Sequence, residues 1–387
     1  MKHLASTTLK LAVALAAVSA FYPGIVSAQH YAQTNLVADT VGAAAVQDPN
    51  LVNPWGLTRS STGPWWVSDN NSGVSTLYTG AGAIIPINGN GIVTIPAPKN
   101  APAGFVAAPT GIVFNSSTSF VLPAPNSKPA DFIFVTEDGT ISGWNGGPSA
   151  VLAVDNNENG SANGAVYKGA TSADLDGVKY LYVTNFRSGR VEVYDTNFHP
   201  VKLSGDAFDP NRGVGFDGEE FREGHVPQGF APFNIQNIGG SLFVTYAKQD
   251  ASRHDNEFGA GEGYVEIFTP GGKHIGHLEH GTWFNAPWGV VWTPRDFGVF
   301  SNTILVGNFG GGQIAAFNGF TYKFIGFVQN PDSSVLAIPG LWSLTFGNGA
   351  SAGPSTTLFF SAGPDKESHG LFGTLTPVAS ENDGSVE

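Results

Sequence analysis

Apolar residues in this chain come in short runs broken by Gly, Pro and Asn, and the breaks recur on a regular schedule. No window sustains a 3.6-residue period, so helices are expected to be nearly absent. A search for internal repeats is the informative step. One unit reads Pro-aromatic-Gly-aliphatic, as in Pro54-Trp55-Gly56-Leu57 and Pro287-Trp288-Gly289-Val290. Related copies are Pro109-Thr110-Gly111-Ile112, Tyr167-Lys168-Gly169-Ala170, Pro232-Phe233-Asn234-Ile235 and Leu341-Trp342-Ser343-Leu344. Their third positions are spaced by 55, 58, 65, 55 and 54 residues.

Each copy is followed by a β-rich run ending in a small or polar residue. The six ends are Asp69, Glu137, Asn185, Tyr246, Asn308 and Ala362. A third unit opens on Gly and usually closes five residues later on an aromatic, as in Gly73 to Tyr78 and Gly312 to Phe317. A weaker fourth run follows, such as Ala83–Ile87 or Phe324–Phe327. Four strand signals per period describe a four-stranded blade, and six periods describe an all-β, six-bladed β-propeller. After Gly370–Leu375 the chain lacks a convincing fourth strand. The stretch Tyr31–Val37 is expected to supply it, closing the last blade and hiding two sheet edges.

These units resemble the NHL/YVTN propeller repeat. Asn53-Pro54-Trp55-Gly56-Leu57, Ala231-Pro232-Phe233-Asn234-Ile235-Gln236, Phe346-Gly347-Asn348-Gly349 and His369-Gly370-Leu371-Phe372-Gly373 are similar to a family of exported bacterial six-bladed propellers. The resemblance covers about residues 30 to 377. It implies the fold and no particular activity.

The N-terminus reads as a signal peptide over residues 1–28. Lys2 and Lys10 are basic, Leu11–Ala20 is apolar, and Val26-Ser27-Ala28 is a small-x-small cleavage site. The apolar run is too short to span a bilayer, and no cysteine follows it to carry a lipid. The propeller domain is placed at 29–377 and an acidic flexible tail at 378–387. A secreted or periplasmic location follows, with no membrane insertion. Zero cysteines exclude disulfides, thiolate metal sites and a cysteine nucleophile. The formal charge is −13, and −15 without Lys2 and Lys10, so a nucleic-acid partner is not expected. A monomer binding a small molecule, glycan or protein is expected.

In a propeller the first strand of each blade lines the channel and the second runs back to the same face. The ends Asp69, Glu137, Asn185 and Asn308 are therefore expected to share one channel rim. Four such oxygen donors suit Ca²⁺, and the gluconolactonase and paraoxonase propellers carry a Glu/Asn/Asp calcium ring that this set resembles in residue type and blade position. The alternative is that Asp and Asn end these strands because they make good turns. His254, His280 and His369 fall in loops of the same face and are candidate general bases. No organic cofactor is indicated. Two functions remain open: a binding scaffold whose channel mouth is filled by side chains, or a calcium-dependent hydrolase of the lactonase or esterase kind.

Three further motifs do not fit this frame. Gly349-Ala350-Ser351-Ala352-Gly353 and Gly213-Val214-Gly215-Phe216-Asp217-Gly218 match a nucleophile elbow and a dinucleotide fingerprint but lack the α/β context each needs. Asp155-Asn156-Asn157-Glu158-Asn159-Gly160 starts like a calcium loop, yet Val166 stands where a bidentate Glu belongs.

Overall fold

Six four-stranded antiparallel blades, one of them extended by a short fifth strand, stand around a central axis in a computed structural model, which describes residues 30–160, 163–203, 207–210 and 226–378. The segments read as signal peptide and, but for Val378, as acidic tail lie outside the described residues, as does Gly213–Gly218. Blade 1 runs outward from Pro54–Arg59 through Trp65–Asp69 and Val74–Tyr78 to Ile92–Thr94. Blade 2 begins at Pro109–Phe114, blade 3 at Tyr167–Leu175, blade 4 at Phe230–Ile238 and blade 5 at Pro287–Trp292. Blade 6 combines Leu341–Phe346, Leu358–Ala362 and Leu371–Pro377 with Tyr31–Ala38 from the other end of the chain. The innermost strands touch in ring order, blade 6 meeting blade 1.

The closing strand pairs antiparallel with Leu371–Pro377, from Tyr31 opposite Pro377 to Ala38 opposite Leu371. A short parallel strand, Val46–Gln47, caps its outer edge. Tyr31 is fully buried among Phe297, Phe300 and other residues of the blade 5–6 core, and its hydroxyl donates to the Phe297 carbonyl at 2.8 Å. Among the described residues the helical structure is three short 3₁₀ turns, and no helix is long and apolar enough to cross a membrane.

One outer strand differs from expectation. Ala83–Ile87 does not form blade 1's fourth strand. Ile92–Thr94 does, while Ile84 makes one isolated bridge to Tyr78. Pro86 lies in the expected stretch and has no N–H to give a ladder.

The Pro-x-Gly repeat has a physical reason. In every blade the pairing of first and second strands slips at this unit: between Pro54 and Leu57, Pro109 and Ile112, Tyr167 and Gly169, Pro232 and Asn234, Pro287 and Val290, and Leu341 and Leu344. A bulge re-aims the side chain it contains. The residues in the bulges are Trp55, Thr110, Lys168, Phe233, Trp288 and Trp342. The following Gly is required by contact with the next blade. A Cβ on Gly56 would sit 2.4 Å from the Thr110 carbonyl oxygen, and one on Gly111 2.6 Å from the Ala170 nitrogen. Where the Gly is replaced, the new side chain bonds across the gap instead. Asn234 donates to the Trp288 carbonyl (2.9 Å) and Ser343 to that of Trp55 (2.8 Å).

Candidate functional site

The bulges close the channel. Trp55 stacks on Trp342 with centroids 3.5 Å apart, and Trp288 meets both edge-on at 6.2 and 5.9 Å. Phe309 stacks on the other side of Trp342 at 3.8 Å, and Phe233 joins Trp55, Trp342 and Phe186. The cluster is buried throughout. The aromatics meet at the axis because the bulge turns them inward. Beneath them the channel narrows to a cavity of about 30 Å³ between Gly56, Gly111, Asn234, Gly289 and Ser343, room for one or two waters and not for a ligand.

Blade 3 breaks the aromatic pattern with Lys168. Its side chain is buried, with Nζ 5.1 Å above the Trp55 ring and 5.8 Å from Phe186. The ammonium pairs with Glu137 and, at 3.3 Å, with Asp255. Burial pushes a lysine toward neutrality. Here the two carboxylates outweigh it and hold Lys168 above its ordinary value. His254 Nδ1 lies 3.0 Å from Asp255 Oδ1. That bond raises the imidazole and sends the Asp255 carboxyl well below the usual range. Ligand atoms of Glu137, His254 and Asp255 all lie within 4.8 Å of one another.

Asparagines complete the network. Asn70 donates to Glu137 Oε2 at 2.8 Å, and Asn53 donates to Asn70 (3.3 Å) and to Glu367 (3.1 Å) while accepting from Trp342 Nε1 at 3.0 Å. Glu367 ends a run of three non-glycine residues in the left-handed region, Asp365, Lys366 and Glu367, with φ of 51°, 57° and 67°. Such residues cost about 1–2 kcal/mol each. The run is held by Asn71 Nδ2 donating to the Glu367 carbonyl at 2.7 Å. Strain of this kind concentrates at functional sites. Burial, then the charge of Glu137, raises the Glu367 carboxyl. Asp138, next to Glu137, is raised to about 6, chiefly by burial.

The expected ring of Asp69, Glu137, Asn185 and Asn308 is not what the register builds. Pro54 pairs with Asp69, Tyr167 with Asn185 and Pro287 with Asn308, but Pro109 pairs with Thr136. Glu137 is thus one residue further along, equivalent to Asn70, Phe186 and Phe309, which face the axis. A one-residue offset reverses the side a strand residue faces. Asp69 is fully buried, taking the Thr76 N–H at 2.9 Å, and burial raises its carboxyl well above the usual range. Asn185 accepts the N–H groups of Val166 and Ser188 and donates to Glu192. Asn308 accepts from Asn285 N–H and donates to the Trp283 and Gln313 carbonyls. Both asparagines are tied into their own turns.

Of the three histidines, His254 alone joins the cluster. His280 stacks on Tyr264 at 4.2 Å and 7°, with Nε2 3.1 Å from the Gly261 carbonyl oxygen. His369 Nδ1 lies 2.8 Å from Asp39, which raises its affinity for a proton. The acidic turn at Asp155 is likewise committed to backbone, accepting from Lys99 N–H (2.8 Å) and Asn157 N–H (3.2 Å). Lys168 is the member of this candidate site that the pattern search passed over. Its signal is a charge at the repeat position that four other blades fill with Trp or Phe.

Comparison with known proteins gives no function. No family model matches the chain. Three uncharacterised proteins of Acanthamoeba polyphaga mimivirus are 27, 32 and 28 % identical over 88, 59 and 88 % of this chain and 78, 40 and 84 % of their own. These relatives are viral, so the likeness to exported bacterial proteins finds no support in them. Among solved structures, virginiamycin B lyase from Staphylococcus aureus is 11 % identical with a TM-score of 0.47, over 90 % of this chain and all of its own. The gluconolactonase XC5397 from Xanthomonas campestris is 12 % identical with a TM-score of 0.33, over 70 % of this chain and 86 % of its own. At these values neither says anything of chemistry. The fold rests on the six blades themselves.

Proposed function

We propose that the protein is an exported binding scaffold, holding a polar small molecule, a glycan or a partner's polar group on the channel-mouth face. The observation that carries this reading is the closed channel. Six blades converge on an aromatic plug, and above it lies a charged floor of Lys168, Glu137, His254, Asp255 and Glu367 fixed by hydrogen bonds. Preorganised polar groups over a rigid base are what a binding face needs.

The calcium-dependent hydrolase has one observation in its favour, the convergence of Glu137, His254 and Asp255. The fit is poor, because the Lys168 ammonium already contacts two of those three donors. An ion would have to displace a buried cation that its surroundings keep charged.

Tryptophan fluorescence tests the choice, since Trp55 lies directly under Lys168. Titration with amino acids, hexoses and sugar acids is expected to give a saturable change with at least one class, weakened in Asp255→Asn. A saturable response to calcium alone, abolished by Glu137→Gln, would replace the scaffold by the metal-dependent reading. So would hydrolysis of simple lactones or esters lost in His254→Ala. Export is checked by mass spectrometry of the secreted protein, with an N-terminus expected at Gln29.

A further inference from the structure

The loop that brings His254 and Asp255 to the channel mouth also walls a second pocket, between blades 3 and 4. This pocket is about 380 Å³ and is lined by Arg187, Arg253, Asn163, Asn185, Ser188 and Ser252, among others. Its volume lies in the range of small-molecule sites. Among the described residues its lining holds no carboxylate, although the chain carries 31 acidic residues against 18 basic ones.

Arginines in so acidic a protein are expected to find carboxylates, and among the described residues these two do not. Arg187 is half-buried and anchored by one bond, Nη1 to the Gly164 carbonyl at 2.8 Å, and its buried Nε has no partner. A buried donor left without an acceptor is unfavourable, and an incoming anion would supply one. Arg253 is exposed and sits in the left-handed region at φ 56°. Its turn is braced by Asp250, which accepts from Ser252 Oγ at 2.7 Å, His254 N–H at 3.0 Å and Asp255 N–H at 3.3 Å. The brace fixes both ends of the segment: Ser252 and Arg253 toward the pocket, His254 and Asp255 toward Lys168.

From this geometry we infer that the Arg187–Arg253 pocket is an oxyanion subsite, taking a carboxylate or phosphate group of the ligand whose remaining polar part lies over the channel mouth. The planar, five-donor guanidinium suits both groups. This inference deepens the binding reading above and rests on it for the idea that this face takes a ligand.

Isothermal titration with inorganic phosphate and with citrate tests it. Each probe alone offers the anion without the rest of a ligand, so binding to the wild type is expected in the millimolar range. Arg253→Gln and Arg187→Gln should each weaken it about tenfold or more, and added salt should weaken it further. Arg190→Gln, an exposed arginine outside the pocket, should leave it unchanged. Because Arg253 is exposed, its variant is expected to fold normally, so a loss there reports binding. The subsite is overturned if neither anion binds the wild type, or if both arginine variants bind like it. Those results leave the fluorescence response at the mouth untouched, so the two readings fail separately.

Discussion

Lys168 shows at the scale of one residue how a propeller can neutralise its own mouth. Its pair with Glu137 is almost entirely removed from water, the side chains being 1 and 12 % exposed. Breaking such a pair from one side leaves a buried charge unmatched and costs about 3–5 kcal/mol. Lys168→Met should therefore destabilise the fold by that amount in denaturant melts. Lys168→Met combined with Glu137→Gln should recover most of it, since a neutral pair of similar shape carries no uncompensated charge. If the double variant is no more stable than the single, the two residues are not coupled. A second buried pair sets a pH dependence. In blade 4, His274 Nε2 lies 2.5 Å from Glu266 Oε2, with side chains 0 and 2 % exposed. Burial raises Glu266 well above the carboxylate range and lowers His274 to about 4. With the carboxyl raised and the imidazole lowered, the folded pair holds its one proton on Glu266 up to the raised value of that carboxyl. In the unfolded chain Glu titrates near about 4.3 and His near about 6.5. Between those values both states hold one proton and the pair contributes no slope. From about pH 6.5 up to the raised value of Glu266 the unfolded pair holds none, so folding takes up a proton and stability falls by about 1.4 kcal/mol per pH unit. Glu266→Gln should flatten this alkaline limb relative to the wild type. Parallel curves for the two would show that the pair holds no such proton.

At the scale of elements, the closing strand of blade 6 offers the sharpest test. Deleting residues 30–38 removes fully buried Tyr31 and bares the edge of Leu371–Pro377. A loss of at least about 3 kcal/mol is expected from Tyr31 alone, and the open edge invites aggregation. An unchanged melting temperature would mean that the ring closes without this strand. The six strand triplets and this closure were legible in the sequence because repeats at fixed spacing report the architecture directly. The rim was not legible, for a specific reason. Phe134-Val135-Thr136-Glu137 and Trp66-Val67-Ser68-Asp69 look alike, yet one pairs with its Pro through Thr136 and the other through Asp69. Sequence similarity cannot register a one-residue shift whose whole effect is to turn Glu137 to the axis and Asp69 into the blade 1–6 core. The fourth strand of blade 1 was missed similarly, since outer strands are short and set by what they cover.

Across the whole molecule, the aromatic plug links blades that are far apart in sequence, including blades 1 and 4 on opposite sides of the ring through Trp55 and Phe233. Trp288 of blade 5 touches Trp55 of blade 1 and Trp342 of blade 6, and its Nε1 donates to the Lys168 carbonyl of blade 3 at 3.2 Å. Without cysteines, the ring depends on such cross-axis contacts and on the closing strand to keep its blades together. Trp288 is 4 % exposed, so Trp288→Ala should cost about 3–5 kcal/mol. Trp292→Ala, at the other end of the same strand beside exposed Phe320, should cost less. Because Trp288 lies in the plug and not on the mouth, the variant should bind the mouth ligand and the phosphate probe as the wild type does at temperatures where it is folded. A loss under about 1 kcal/mol together with lost binding would reverse this assignment. The aromatic layer would then be the floor of the binding site itself, and the channel a recess that ligands enter.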